Sequence, residues 1–95
     1  MQQIEVTGVV VRKTSKTSMV RAVCSIILND GFAIHDVKVI ENSQGKLIVA
    51  MPSRKVEDGE GNFKWKDVAH PTCPEVRQAI ERAVMKALKE YKENM

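Results

Sequence analysis

RAVCSIILNDGFAIHDVKVIE, residues 21–41, is the stretch that decides the fold of this chain. Two apolar runs rich in β-branched residues flank Asn29-Asp30-Gly31, and Asp-Gly supplies the positive-φ residues that a tight hairpin turn demands. With Asp30 and Gly31 as a two-residue loop, Asn29 faces Phe32, Ile26 faces His35, Cys24 faces Val37 and Ala22 faces Val39. Side chains alternate along a strand, so this register gathers Ala22, Cys24, Ile26, Leu28, Val37 and Val39 on one sheet face, the predicted core. The opposite face mixes Val23, Ile27, Ile34 and Ile40 with Arg21, Asp36 and Lys38, and is neither cleanly solvated nor cleanly buried.

Outward from the hairpin, residues 4–13 (IEVTGVVVRK) read as a first strand that runs into a polar turn at 14–18. On the other side, 42–45 is a turn, and 46–51 is a short strand closed by Pro52, which has no amide hydrogen to continue a central ladder. Arg54 and Lys55 are then expected to open a loop at the sheet rim, with VEDGEGN (56–62) as a long hairpin tip. The segment FKWKDVA (63–69) returns as a strand, Phe63 and Trp65 on one side and Lys64 and Lys66 on the other. Thr72-Cys73-Pro74-Glu75 has the pattern of a capping box, Thr72 accepting from an early helix amide and Glu75 reaching back. A helix of about five turns follows. Its apolar stripe is Val76, Ile80, Ala83, Val84, Ala87, Leu88 and Tyr91, with Arg82, Lys86 and Lys89 on the far side.

The predicted class is therefore α+β: a mainly antiparallel sheet of about five strands with one long C-terminal helix, in a single domain spanning 1–95. One helix covers one sheet face. The half-apolar second face and the unpaired strand edges point to a homodimer.

With 95 residues, 43% of them hydrophobic, the chain has a thin core and gains from association. No window approaches the ~20 apolar residues of a bilayer span, and the start MQQIEVT lacks the basic-then-apolar form of a secretory signal. Two distant cysteines suit a reduced thiol state, so a cytoplasmic protein with no membrane partner is expected. The net charge of +3 permits an anionic partner without requiring one. Its distribution is uneven: Arg12, Lys13, Lys16 and Arg21 occur between residues 11 and 21 with no acid, whereas Glu57, Asp58 and Glu60 concentrate the negative charge.

Cys24, His35, His70 and Cys73 are metal-ligand types, and the hairpin register sets Cys24 and His35 diagonally on one face. Only His70-x-x-Cys73 is compact, however, and a hydrogen-bonded structural His35 is the preferred reading to a zinc ligand. His35-Asp36 is no catalytic dyad by spacing, since neighbours on a strand point to opposite faces. Neither a nucleophile elbow nor a phosphate loop nor a dinucleotide fingerprint is present. No enzyme, no cofactor and no small-molecule substrate are expected. Basic residues remain the candidates: Arg54, Lys55, Lys64 and Lys66 on a strand-and-loop surface are suited to a nucleic-acid backbone, against the plainer reading that they are solvated lysines. Four aromatics, most of them assigned to the core, leave little for base stacking.

VTGVVVRK, RAVCSIILNDGFAIHDVKVIE, GKLIVAMPSRK and KDVAHP, in this order and spacing, resemble the bacterial SpoVG family, the stage V sporulation protein G or septation regulator. The similarity covers residues 4–72 and continues more loosely into the helix. HDVKVI (35–40), and VAMPSRK (49–55) with DVAHP (67–71), carry most of its specificity. The resemblance implies a small dimeric α+β protein that binds DNA and RNA and regulates gene expression, cell division and, in spore formers, sporulation. By the same resemblance the basic pair after Met-Pro-Ser maps onto Arg54 and Lys55, and the basic positions of the terminal helix onto Arg77, Arg82, Lys86 and Lys89. The segment between Asp58-Gly59 and Asp67 is longer than is usual for the family. The alternative reading is a protein-interaction module that captures a partner through the exposed sheet face or an edge strand.

Overall fold

The computed structural model describes residues 3–93. Its elements are β1 (Val6–Thr14), β2 (Val20–Leu28), β3 (Phe32–Glu41), β4 (Leu47–Ala50), β5 (Ser53–Glu57), β6 (Phe63–Asp67) and α1 (Pro74–Glu93). The fold is α+β, with six strands in two antiparallel sheets rather than about five in one: a four-stranded sheet ordered β1-β2-β3-β4, and a separate β5-β6 ribbon.

The central hairpin forms with a different turn. Leu28 pairs with Phe32, so Asn29, Asp30 and Gly31 are all loop, and Asn29 and Asp30 take the left-handed φ values 51° and 55°. Asn and Asp tolerate that region better than other side chains, which is why the sequence affords a third loop residue here. The extra residue shifts the register by one near the turn, and Ile26 faces Ile34 instead of His35. A bulge then removes the shift: His35 and Asp36 together oppose Ser25, with Asp36 at φ 63°. Beyond it Cys24 pairs with Val37 and Ala22 with Val39, as the sequence predicts.

This bulge is what lets both ends of β3 serve the core. Ala22, Cys24, Ile26, Val37 and Val39 are buried together with Met51 and with Ile80, Val84 and Leu88 of α1. Ile34, expected on the opposite face, packs against the core because it now pairs with Ile26; Leu28 packs there too, only partly buried. His35 leaves Cys24's side, and its Nδ1 lies 2.8 Å from the hydroxyl of the buried Ser25, whose oxygen also accepts from Arg12 at 3.4 Å. The diagonal Cys24–His35 pairing weighed for a metal is thus undone by one bulged residue.

Helix α1 lies closest to β1 and also reaches β2 and β4. Pro74 is its first residue and the Cys73 carbonyl accepts from the Arg77 amide at 3.2 Å, so the cap position is Cys73. A capping box needs its acid three residues after the cap, and from Cys73 that place is Val76. The Thr72–Glu75 box is therefore out of step by one residue, and proline at the first helical position does the starting, because its fixed φ suits the helix and its missing amide is not needed there.

Candidate nucleic-acid interface

Pro52 ends the ladder between β3 and β4, but it does not release a loop. Its carbonyl accepts from the Val68 amide at 2.7 Å and so becomes the first rung of the β5-β6 ribbon. Arg54 and Lys55, expected on a loop, are strand residues in that ribbon. Five residues, 58–62, close its far end: the Asp58 carboxylate accepts from the Glu60 amide at 2.8 Å and the Asn62 amide at 3.3 Å. The Glu60 contact, foremost, lowers the Asp58 pKa below its ordinary 3.8, with further help from Asn62. Neither β5 nor β6 packs against another strand or the helix. The ribbon projects, and the radius of gyration is 14.5 Å, where a compact chain of this length has about 12 Å.

Cross-strand pairing sorts the ribbon's side chains onto two faces. Arg54 pairs with Lys66 and Val56 with Lys64, so one face carries Arg54, Lys64 and Lys66 around Val56 and no acid. Ser53 pairs with Asp67, Lys55 with Trp65 and Glu57 with Phe63, which places both ribbon acids on the other face. Arg54 and Lys55, adjacent in sequence, therefore point to opposite sides. All four cations are exposed, and among the described residues the only ion pair is Arg21–Glu41, so no carboxylate neutralises them. Like charges set directly across a ladder destabilise it. Arg54 opposite Lys66, with Lys64 beside them, is a cost that a bound anion would relieve.

The aromatic residues depart from expectation. Phe63 is 53% and Trp65 65% exposed, because the strand that carries them has no sheet or helix to lie against. Their rings meet perpendicularly with centroids 6.3 Å apart, and the Lys55 ammonium sits 4.1 Å from the Phe63 centroid. Sequence reasoning missed these two residues as surface features. The available signal was FKWK itself, in which aromatic and cationic residues alternate.

On α1, Arg77, Arg82, Lys86 and Lys89 are all exposed. Arg82, Lys86 and Lys89 follow the three- and four-residue spacing of one helix stripe. Arg77, five residues before Arg82, lies about 140° round the axis from it. Arg82 and Lys86 line a groove with Ile4, Glu5 and Val6, whereas the ribbon's Ser53 shares a different groove with Phe32, His35 and Asp36 of β3. Helix and ribbon cations thus form two groups. Of the basic cluster between residues 11 and 21, Arg21 is occupied by Glu41 and by the Lys16 carbonyl, and Arg12 by Ser25. No helix among the described residues is long and apolar enough to cross a membrane.

The model of the SpoVG family matches residues 4–93. The chain belongs to the SpoVG family. Its match to the family takes in the whole ribbon and the helix, further than the segments from which the resemblance is read. Similar SpoVG relatives come from Clostridioides difficile (strain 630), 46% identical over 87 residues, 92% of this chain and 89% of the relative; and from Lachnospira eligens, 44% identical over 84 residues, 88% and 90% of the two chains. A third, from Staphylococcus saprophyticus, is 43% identical over 90 residues, 95% of this chain and 84% of the relative. Each bears the name "Putative septation protein SpoVG".

Proposed function

We propose that this SpoVG-family chain is a nucleic-acid-binding regulator that acts on DNA and RNA as a cytoplasmic homodimer, in the septation its relatives are named for and in sporulation where the host makes spores. It is a binder without catalytic role, cofactor or small-molecule substrate. One observation carries the reading: Arg54, Lys64 and Lys66 share an acid-free, projecting face, two of them directly opposed and none paired with a carboxylate among the described residues. Phosphates meet such a face by releasing counterions, which gives affinity that is independent of sequence and falls steeply with salt. The exposed stripe of Arg82, Lys86 and Lys89, with Arg77 apart from it, supplies a second basic surface.

Duplex binding measured over a salt series tests this. Each phosphate contact removed by Arg54→Ala, Lys64→Ala or Lys66→Ala flattens the slope of log affinity against log salt by about 0.9. Unchanged slopes in the triple variant, with the fold intact, overturn the assignment of this face, and absence of binding at low salt overturns the function.

A specific surface favours the second reading, a protein-interaction module. Phe32 and Val68, each 65% exposed, border a groove with Val23, Ile34, Pro52 and Ala69 beside the base of the ribbon. A second copy of the chain is the occupant that also serves the first reading, since two linked basic faces on one strand raise avidity.

A further inference from the structure

We infer that the other face of the ribbon is a stacking site for single-stranded nucleic acid, with the indole of Trp65 as the platform for an unpaired base. The inference rests on the nucleic-acid reading above, adds Lys55, Phe63 and Trp65 to the Lys64 and Lys66 already used there, and engages a different part of the ligand. Trp65 is 65% exposed, and Phe63 stands perpendicular against it. The Lys55 ammonium lies over the Phe63 ring and directly across the ladder from Trp65. Lys55, Phe63 and Trp65 thus form a braced row: the indole is held from one side by an aromatic neighbour and keeps exposed surface free, so little freedom is lost when a flat ring settles on it.

Charge selects the occupant. Lys64 and Lys66 flank Trp65 along β6 with their side chains on the opposite face, and β6 has no second partner strand among the described residues, so a strand of nucleic acid that crosses this edge meets both faces. A base on Trp65 therefore has Lys55 beside it and two further cations for its flanking phosphates, the combination of stacking and backbone contact that single strands require. Glu57 and Asp67 sit at the two ends of this face and confine the anionic backbone to the middle. A second protein copy fits the face less well: Lys55, Glu57 and Asp67 are half of its six ribbon residues, and charged side chains are depleted at interface cores. A duplex hides its bases from such a platform and meets the opposite, acid-free face instead.

Trp65 is the only tryptophan in the chain, so its fluorescence reports the site directly. The probes are a dT oligomer and the same oligomer paired with dA, titrated into the full chain, Trp65→Ala, Trp65→Phe and Lys64→Ala/Lys66→Ala, each checked for fold by circular dichroism. Single-stranded dT quenches the wild-type emission. Trp65→Ala weakens dT binding about 5- to 150-fold and leaves duplex affinity unchanged; Trp65→Phe retains part of the dT affinity; the lysine pair weakens both ligands. If Trp65→Ala binds dT as the wild type does, or dT saturates the protein without quenching, the stacking site is wrong while the phosphate-binding face stands. Should neither ligand bind at low salt, both fall. A sedimentation mass that falls from two protomers to one on Trp65→Ala assigns the indole to a contact between copies and overturns the stacking site.

Discussion

Asp36 holds the residue-scale decision of the fold, because its φ of 63° makes the bulge that returns β2 and β3 to the register burying Val37 and Val39. A left-handed backbone costs a β-branched residue about 1–2 kcal/mol, whereas glycine adopts it freely. Asp36→Val is therefore expected to lower the melting temperature, and Asp36→Gly to change stability by no more than about 1 kcal/mol, at roughly 4–8 °C per kcal/mol for a chain this small. The cysteines divide in a related way. Both are free; Cys24 is fully buried and burial raises its pKa above 9.0, while Cys73 is half-buried at the helix start. A thiol-reactive chromophore should modify Cys73 in the native protein and Cys24 only on unfolding. The pH consequence follows in sign: a raised folded pKa gives a contribution that is complete below 9.0 and lost as pH climbs through the higher folded value. Thermal melts above pH 9.0 should show this loss in the wild type and less of it in Cys24→Ala.

Among the elements, α1 and the ribbon stand at opposite extremes of dependence on their surroundings. The helix contributes Ile80, Val84 and Leu88 to the one core, and its apolar spacing was readable because a stripe at three and four has only one sheet face to cover. Leu88→Ala is expected to cost about 2–5 kcal/mol through lost burial and the cavity left behind, while the neighbouring exposed Lys89→Ala stays within about 0.5 kcal/mol; chemical denaturation measures both. Of the ribbon, the tip and the cationic return strand were legible, but Arg54 and Lys55 read as a loop and the separate sheet did not show. Proline announces the end of a ladder, but whether the chain then wanders or pairs again depends on a partner segment distant along the chain, here through the amide of Val68.

The whole molecule is a small core with a limb. Since the ribbon packs on no other element, joining Ser53 to Asp67 by an Asn-Gly turn should leave the four-stranded sheet and α1 folded, with circular dichroism reporting the helix unchanged. On the proposed nucleic-acid reading, the same excision should flatten the salt dependence of duplex binding, leaving only what the basic stripe of α1 contributes. The exposed groove around Phe32 and Val68 predicts that sedimentation of the full chain yields twice the 10.7 kDa protomer mass, and that Phe32→Ser/Val68→Ser shifts it toward one protomer.

By itself the sequence determined the core face, the α+β class, the helix stripe and the identity of the ribbon's cations, because those follow from local period and turn chemistry. Tertiary structure alone decided which neighbours share a surface. A third left-handed loop residue and a compensating bulge moved Ile34 inward and His35 out, and a second ladder put Arg54 and Lys55 on opposite faces and exposed Trp65. Those outcomes depend on pairing between segments distant along the chain, where a change of one residue reverses the side to which every later side chain points.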